Sequence, residues 1–447
     1  MAVATEAPDT RVVHGFHGKD APDFDLIRQC VHCGFCLPSC PTYRITGRER
    51  SSPRGRIWLM KSVAEGRLDL LDPLFEEEMT LCLNCRACEA VCPSGVHYGA
   101  IVEASRAQIV QHRPQRFKER LFRFVGFQVL LRNMTRFRLA NRMLRLYQRS
   151  PLRSLVRRSG ILRLLGLEHA ESLMPTISQH FVVPTGQFYP AQGERRGRVA
   201  LFTGCVMSTA YAHVHEATIR VLTRNGFDVV LAPGQGCCGA LHVHSGEPET
   251  GRILARQNID ALESPYFDAI IVNAAGCGAM LKEYPQLLRA DHRYAERAQR
   301  FASKVRDAIE FLVERGLSVS PGPLPWRVTL QEPCHLAHAQ RITQQPRQLL
   351  GAIPGLQLIE MAESSLCCGS AGIYNLLRPQ MASALLDRKL RNALATGADV
   401  IVSANPGCML QLEAGLRERG AEVPVLHLLE VLDRAYGAEQ QASAATA

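Results

Sequence analysis

The sequence CVHCGFCLPSCP at residues 30–41 decides the fold of the first part of this chain. Its cysteines are separated by two, two and three residues, and a proline follows the last of them. The same spacing returns in CLNCRACEAVCP at residues 82–93. Three cysteines in so tight a loop can hold three irons of a cubane cluster, while the fourth turns outward before the proline. The two runs therefore predict a helical domain built around iron–sulfur clusters.

The fourth cysteine of each run decides how the ligands are shared. In proteins with two such runs it reaches the cluster of the other run. Structural zinc is the alternative, but zinc takes four ligands in two pairs, which gives the third closely spaced cysteine no role. The sequence therefore predicts two [4Fe–4S] clusters, the first held by Cys30, Cys33, Cys36 and Cys92 and the second by Cys82, Cys85, Cys88 and Cys40.

The other eight of the sixteen cysteines form a repeat. Each copy reads as a strand ending in cysteine (199–205 and 328–334), a helix, a strand, Cys-Cys-Gly, a helix and a strand ending in Gly-Cys. This alternation predicts two Rossmann-like βαβ units with parallel sheets. Offsets of 129 to 131 residues indicate an internal duplication and relate Cys205, Cys237, Cys238 and Cys277 to Cys334, Cys367, Cys368 and Cys408.

These eight cysteines are candidate ligands of a further iron–sulfur cluster. The carboxyl ends of parallel strands are where α/β sheets place ligands, and nearby helix N-termini stabilise thiolates. Adjacent side chains diverge, so a vicinal pair suits a polynuclear cluster better than one tetrahedral ion. A redox-active vicinal disulfide and buried unreactive thiols are the alternatives. Histidines close to the motifs are expected to be ordinary, with a supporting role beside a ligand as the alternative: His32, His97, His242, His244, His335 and His338.

Length and composition describe a folded protein of several domains. The 447 residues are 46% hydrophobic and 21% charged, as in globular chains. No apolar run reaches the length of a membrane-spanning helix and no secretory signal is visible, so the cytoplasm is expected. The predicted domains are 1–105 for the cluster-binding part, 106–195 for a linker, 196–320 and 321–437 for the two repeats, and 438–447 for a disordered tail.

The linker carries the positive charge of the protein. Between residues 106 and 165 there are fifteen arginines and one lysine against one acid, so this segment contributes +15 and the rest of the chain −5. Apolar residues recur there at spacings of three and four, which predicts amphipathic helices. The favoured interpretation is a helix pair lying on anionic lipid or docking on an acidic partner. Packing of the apolar face on the chain's own domains is the alternative, and no nucleic-acid partner is expected.

Several pieces of the sequence together resemble a known family. In chain order they are the first cysteine run with PTY at 41–43, SPRGR at 52–56, the second run with PSGV at 93–96, GCG at 276–278 and CCGSAG at 367–372. In this order they are similar to the iron–sulfur subunit of bacterial glycolate oxidase over nearly the whole chain. The wider family includes subunits of lactate utilisation, anaerobic glycerol-3-phosphate dehydrogenase and heterodisulfide reductase.

The resemblance implies an electron-transfer subunit of an oxidoreductase complex. FAD-binding partner subunits would oxidise glycolate, a 2-hydroxy acid, to glyoxylate, and this chain would pass the electrons towards membrane quinone at the cytoplasmic face of the inner membrane. The sequence itself has no Gly-x-Gly-x-x-Gly after a strand and no P-loop. We therefore expect no FAD or NAD in this chain and assign no catalytic residue to it.

One departure concerns the end of each repeat. The heterodisulfide reductase pattern ends in Cys-x-x-Cys, whereas Cys277 is followed by Gly-Ala-Met and Cys408 by Met-Leu-Gln. One ligand per repeat is missing, which disfavours the special clusters of that relative. The alternative functions are a thiol–disulfide reductase subunit, the iron–sulfur subunit of a lactate or glycerol-3-phosphate dehydrogenase, and a cluster-dependent nucleic-acid-binding regulator.

Overall fold

The computed structural model describes residues 15–115, 117–164 and 166–445. These residues form a helical N-terminal part, a helical linker and two α/β units that each have their own sheet. This architecture confirms the predicted fold class, an α/β protein with an N-terminal helical domain and two units built on parallel strands.

Six helices form the N-terminal part and leave the cysteine runs in the loops between them. Proline opens α2, α3 and α4, where its fixed φ suits the first helical position and its missing N–H is not needed. Their apolar faces meet around the fully buried Met60, Val63 and Phe75. The helices are α1 Phe24–Arg28, α2 Pro41–Thr46, α3 Pro53–Ala64, α4 Pro73–Leu81, α5 Ala87–Ala90 and α6 Tyr98–His112, with a 3₁₀ turn Glu49–Ser51 before α3.

The linker is a succession of helices that begins later than predicted. Helix α6 runs through the expected boundary at 105/106 because its buried residues, among them Ile101, Val102 and Ile109, keep one face on the N-terminal core. The following π-helix packs on the first α/β unit through Phe127, which is 3% exposed and whose ring lies 5.3 Å from that of His242. The linker elements are α7 Phe117–Arg123, the π-helix Phe124–Leu131, α8 Met134–Arg149, α9 Pro151–Arg158, α10 Ile161–Leu164 and α11 Glu168–Ser172.

The first α/β unit has a five-stranded sheet in the order β1-β3-β2-β4-β5. Strand β1 runs antiparallel to β3 and lies within the predicted linker, so this unit begins before residue 196; the other pairs are parallel. The strands are β1 Gln187–Tyr189, β2 Gly197–Leu201, β3 Phe227–Leu231, β4 Ala269–Val272 and β5 Val305–Asp307. The helices are α12 Val206–Thr209, α13 Ala212–Arg224, α14 Ala240–His244, α15 Pro248–Leu262, α16 Ala275–Lys282, α17 Tyr284–Leu287, α18 Ala295–Lys304 and α19 Ala308–Arg315.

The second α/β unit has four parallel strands in the order β7-β6-β8-β9. In both units the first cysteine lies beyond its strand, since β2 ends at Leu201 and β6 at Leu330, which corrects the predicted strand ends at Cys205 and Cys334. The elements are β6 Arg327–Leu330, a π-helix His335–Ala339, α20 Gln344–Gly351, β7 Gln357–Leu358, α21 Tyr374–Leu377, α22 Pro379–Leu394, β8 Val400–Ser403, α23 Pro406–Glu418, β9 Val425–His427 and α24 Leu428–Ala445.

Helix α24 extends into the predicted tail. The sequence predicts disorder over 438–447, but the helix continues to Ala445, and 446–447 lie outside the described residues. Its first part is anchored by Leu429, Val431 and Leu432, which are fully buried. The following alanine- and glutamine-rich sequence has high helix propensity and extends a helix that is already nucleated. Among the described residues, we find no helix with the length and apolar character needed to cross a bilayer.

Candidate metal centres

The first cysteine run and the end of the second close around one cavity, here called the outer cavity. His32 and Gly34 turn its loop through left-handed conformations, with φ of 54° and 91°. Arg54 ties this loop to α3, because its Nη1 donates to the His32 carbonyl at 3.0 Å. Cys33 is exposed, so the cavity opens to solvent. Its empty space, solvent at its mouth included, is about 420 Å³, and it is lined by Cys30, Cys33, Cys36, Cys88 and Cys92.

A second cavity, the inner cavity, lies deeper in the chain. Its empty space, solvent at its mouth included, is about 300 Å³, and it is lined by Cys40, Cys82, Cys85 and Cys88, all of them buried. The backbone N–H of Asn84 donates to Cys82 Sγ at 3.3 Å. Burial raises the pKa of the Cys85 and Cys88 thiols, so isolated thiolates are costly here. Thiolates that share their charge with a metal group avoid this cost.

The fourth cysteine of each run lies at the cavity of the other run. Cys92 lines the outer cavity and Cys40 the inner one. Cys88 lines both, so the two cavities are neighbours. Within the described ranges, no three His, Cys, Asp or Glu side chains converge on one point as a single metal ion requires. The cysteines surround spaces instead, and this arrangement fits polynuclear iron–sulfur groups.

Two arginines of α3 bring positive charge to the cavities. Arg54 lines the outer cavity and is paired with Glu49 at 2.6 Å. Arg56 lines the inner cavity, is 1% exposed, and pairs with the Glu78 carboxylate at 3.4 Å. A guanidinium keeps its charge even when buried. The SPRGR segment therefore places one cation beside each cysteine set.

In each α/β unit the four cysteines form a chain of contacts. Cys205 Sγ lies 3.7 Å from Cys237 Sγ, and the same order of contacts recurs in the second unit. Six of the eight side chains are buried, and Cys277 and Cys334 are half-buried. The contacts run Cys205–Cys237–Cys238–Cys277 in the first unit and Cys334–Cys367–Cys368–Cys408 in the second.

The two units meet beside their last cysteines. The backbone N–H of Gly276 donates to Asn405 Oδ1 at 3.1 Å, and Asn405 Nδ2 donates to Cys408 Sγ at 3.5 Å. Gly276 precedes Cys277 in the chain, so Asn405 connects the Gly-Cys turns of both repeats. The duplicated cysteine sites therefore face a common interface.

The inner cavity adjoins the second α/β unit. Leu83 and Cys85 pack with Cys367 and Tyr374 in one buried cluster. The Tyr374 hydroxyl donates to the Leu81 carbonyl at 2.9 Å. The inner cysteines are thus next to those of the second repeat, whereas the outer cavity faces solvent.

A buried polar network joins the inner cysteine loop to the first unit. Asn84 Nδ2 donates to the Glu103 carboxylate at 2.6 Å, and His244 Nδ1 lies 2.7 Å from the same carboxylate. Arg86, 7% exposed, lies 3.6 Å from Glu103 and also pairs with Glu283. Burial alone raises the pKa of Glu103, but His244 and Arg86 bring it down to about 2. Glu103 is therefore a buried carboxylate held by cationic and amide groups.

Unpaired polar atoms lie in the same region. His335 Nε2 bonds to the Asn84 carbonyl at 2.9 Å, which connects the network to the second unit. Among the described residues, Asn84 Oδ1, Arg86 Nε and His335 Nδ1 are buried without a hydrogen-bond partner. Such atoms are costly unless water or a bound group pairs them. They lie beside cysteines of the inner cavity and the second repeat, where the iron–sulfur groups fit.

The linker divides into a packed face and an exposed face. Met134, Phe137 and Leu144 pack on the first unit, in agreement with the packing alternative. On the opposite side of α8, Leu139, Met143 and Leu146 are 58%, 60% and 62% exposed. Exposed arginines flank these three side chains; they are Arg132, Arg136, Arg142 and Arg149. The exposed face therefore combines apolar and cationic side chains.

The cysteine cavities and the duplicated cysteine units define an iron–sulfur electron carrier. Family models agree with this class: the "4Fe-4S dicluster domain" matches residues 27–96, and the "Cysteine-rich domain" matches 199–282 and 328–413. The model described as "Glycolate oxidase iron-sulfur subunit, linker region" matches 118–174. The prediction of iron–sulfur clusters is thereby confirmed.

Comparison with curated relatives identifies the family. The chain is 44% identical to the probable glycolate oxidase iron-sulfur subunit of Bacillus subtilis, over 94% of this chain and 96% of the relative. It is 35% identical to the glycolate oxidase iron-sulfur subunit of Escherichia coli, over 92% and 94%. A fumarate reductase (CoM/CoB) subunit of Methanothermobacter marburgensis is 28% identical, over 96% and 76%. The chain belongs to the family of glycolate oxidase iron–sulfur subunits.

Sequence reasoning missed the buried charges around the cysteines. Arg86, Glu103 and Lys389 are all buried or nearly so; Glu103 and Lys389 lie outside the cysteine motifs, and Arg86 stands inside the second cysteine run, whose spacing predicts nothing about its charge. His244 and His335 were expected to be ordinary, but both belong to the polar network. Aligning the two repeats beyond their cysteines finds Lys389, because the first repeat has asparagine at that place. The other residues come together only through the fold.

Proposed function

We propose that this chain is the iron–sulfur subunit of a glycolate-oxidising complex and carries electrons from FAD-binding partner subunits towards membrane quinone. The observation that carries the proposal is the pair of neighbouring cysteine cavities, one open to solvent and one against the second repeat. Membership of the family over nearly the full length of the chain supports glycolate as the substrate of the complex. Bound iron–sulfur clusters supply one-electron carriers.

The proposed ligands follow the cavities. The crossed sets are supported by the positions of Cys40 and Cys92 at the cavities of the opposite runs. In the repeats, the matching chains of thiol contacts support a further centre. The proposed sets are Cys30, Cys33, Cys36 and Cys92; Cys82, Cys85, Cys88 and Cys40; and, for the further centre, Cys205, Cys237, Cys238, Cys277, Cys334, Cys367, Cys368 and Cys408.

The outer cavity is the proposed approach for the flavoprotein partner. Val31 and Phe35 of its loop are 69% and 68% exposed, and Cys33 is exposed between them. Exposed apolar side chains grouped at one site favour contact with another protein. A partner bound to this loop can reach the exposed Cys33 directly. The cysteines of the inner cavity are buried and offer no such contact.

The linker is the proposed contact with the cytoplasmic face of the inner membrane. Its exposed face carries Leu139, Met143 and Leu146 between arginines. Apolar side chains can enter the headgroup region while arginines pair with anionic lipid. This surface brings the subunit to the quinone pool without a spanning helix.

The function is tested in the assembled complex with glycolate as substrate. Cys368→Ser should cut quinone reduction strongly, whereas reduction of a dye that accepts electrons at the flavin should persist, because the partner performs the oxidation. The purified, flavin-free chain should oxidise no glycolate. Glycolate oxidation by this chain alone, or full quinone reduction in the variant, contradicts the proposal.

A further inference from the structure

Lys389 is a buried cation in the second repeat. It lies on α22 and is 1% exposed. Its Nζ donates to the carbonyl oxygens of Glu363 and Ser364 at 2.6 and 3.0 Å. No salt bridge from a carboxylate of the described residues reaches this Nζ; the Glu363 carboxylate pairs with Arg44 and Arg388 instead. A buried ammonium is costly unless an opposite charge compensates it.

Lys389 lies beside the cysteines of the second repeat. The two carbonyls that it binds, those of Glu363 and Ser364, precede Cys367 by four and three residues, and its helix α22 packs on the Cys-Cys-Gly turn where Ala382 meets Gly369. Burial lowers the pKa of Lys389, and the negative charges of Cys368, Cys367, Cys408 and Glu363 oppose that shift. The buried ammonium is therefore placed to compensate negative charge on this cysteine set.

The first repeat has no charge at the matching place. Helices α15 and α22 both begin with proline, and Gly251 of the first and Ala382 of the second contact the glycine of their Cys-Cys-Gly turn. The same alignment places Asn258 opposite Lys389. Asn258 Nδ2 donates to the Cys237 carbonyl at 2.9 Å, so it holds the turn as a neutral group. The two repeats therefore share their shape but not this charge.

We infer that Lys389 is the counter-charge of an anionic polynuclear centre in the second repeat and raises the reduction potential of that centre. The inference rests on the further centre proposed above. One-electron reduction adds one negative charge to such a centre, and a fixed ammonium in buried surroundings stabilises the reduced form more than the oxidised one. Lys389 is a positioning residue, because it affects the potential of the centre through the charge of its ammonium group.

The test compares charge-removing and charge-keeping variants of the full chain purified anaerobically. Lys389→Gln keeps hydrogen-bond donors without the charge, and Lys389→Arg keeps the charge. Lys304→Gln is the matched control, because Lys304 Nζ also donates to two carbonyls, those of Ser264 and Phe267 at 2.9 and 2.8 Å, away from the cysteines. Each protein is titrated with dithionite, the reductant, while electron paramagnetic resonance follows the centres, and iron and sulfide are counted.

Lys389→Gln should shift the potential of the repeat centre downward or lose that centre, while both cubane signals stay. Lys389→Arg and Lys304→Gln should keep the wild-type potential. An unshifted potential in Lys389→Gln, or equal loss in Lys389→Arg and Lys304→Gln, overturns the role of Lys389. A wild-type chain without any signal beyond two cubanes overturns the proposed further centre itself, so the two failures are distinguishable.

Discussion

Cys40 belongs to the first cysteine run but lies at the cavity of the second run. It is 6% exposed and lines the inner cavity with Cys82, Cys85 and Cys88. Cys40→Ser should therefore damage the centre of the second run and leave the outer one nearly normal. Mössbauer spectra and iron counts check this, starting from about eight iron for two cubanes in the wild type, with the iron of the repeats in addition.

Cys92→Ser is the matched variant for this experiment. Because Cys92 lines the outer cavity, its loss should damage the centre of Cys30, Cys33 and Cys36 and spare the inner one. If each variant instead damages the centre of its own run, the crossed ligand sets are wrong.

Glu413 on α23 makes stability depend on pH. Burial raises its pKa to about 7, against hydrogen bonding by Tyr211 and the charge of Arg417. The folded pKa exceeds the unfolded value of about 4.3, so the stabilisation is complete below that value and is lost as pH rises towards 7. The gain in stability from Glu413→Gln should grow by about 2 kcal/mol between about pH 5.5 and about pH 8.5.

Denaturant unfolding of the anaerobic, cluster-containing chain at both pH values measures this gain. Glu418→Gln is the control, because Glu418 is exposed on the same helix and should leave the pH profile unchanged. A pH-independent difference between wild type and Glu413→Gln contradicts the prediction.

Helix α8 presents the charges that should bind lipid, and the neighbouring helix α9 presents charges that should not. Arg136 and Arg142 are exposed beside the apolar side chains of α8. Arg153 and Arg157 of α9 pair with Glu171 at 3.0 and 2.6 Å. Arg136→Gln with Arg142→Gln should weaken binding to vesicles of anionic lipid several-fold, whereas Arg153→Gln with Arg157→Gln should have a smaller effect.

Vesicle sedimentation at low and high salt measures the difference, since both pairs remove the same net charge. Equal losses from the two pairs indicate a response to net charge alone, and no loss from either pair favours a docking partner over lipid. Leu146→Gln tests the apolar part, because it changes no charge and removes a side chain that is 62% exposed.

The sequence predicts the elements of this chain where a local pattern is sufficient. Cysteine spacing indicates the cavities, and the constant offset indicates the duplicated units. Boundaries depend on packing at a distance: α6 continues past 105 because its buried face belongs to the N-terminal core, and β1 joins the first sheet by pairing with β3. The tail is helical to Ala445 because α24 is anchored upstream. The spacing of residues along the sequence predicts neither the polar network around Glu103 nor which face of α8 is exposed.

The cysteine domain and the repeats act together only if their relative position is fixed. Two kinds of ion pair connect the cysteine domain to the first α/β unit. Glu103 lies in the buried network of Asn84, Arg86 and His244. Lys19 and Glu249 form a second crossing pair at 2.7 Å, but their side chains are 67% and 54% exposed. Burial should make the first kind strong and the second weak.

Glu103→Ala removes the common partner of the buried Asn84 and Arg86 and of the half-buried His244, so it should destabilise the chain by about 3 kcal/mol. Lys19→Ala should cost less than about 1 kcal/mol, since water screens an exposed pair. Denaturant unfolding of the anaerobic, cluster-containing chain gives both values, and limited proteolysis between residues 98 and 123 reports loosening of the two parts. A cost for Glu103→Ala no larger than that for Lys19→Ala would mean that the parts are held by the apolar contact of Cys85 and Leu83 with Cys367 and Tyr374, and not by the network.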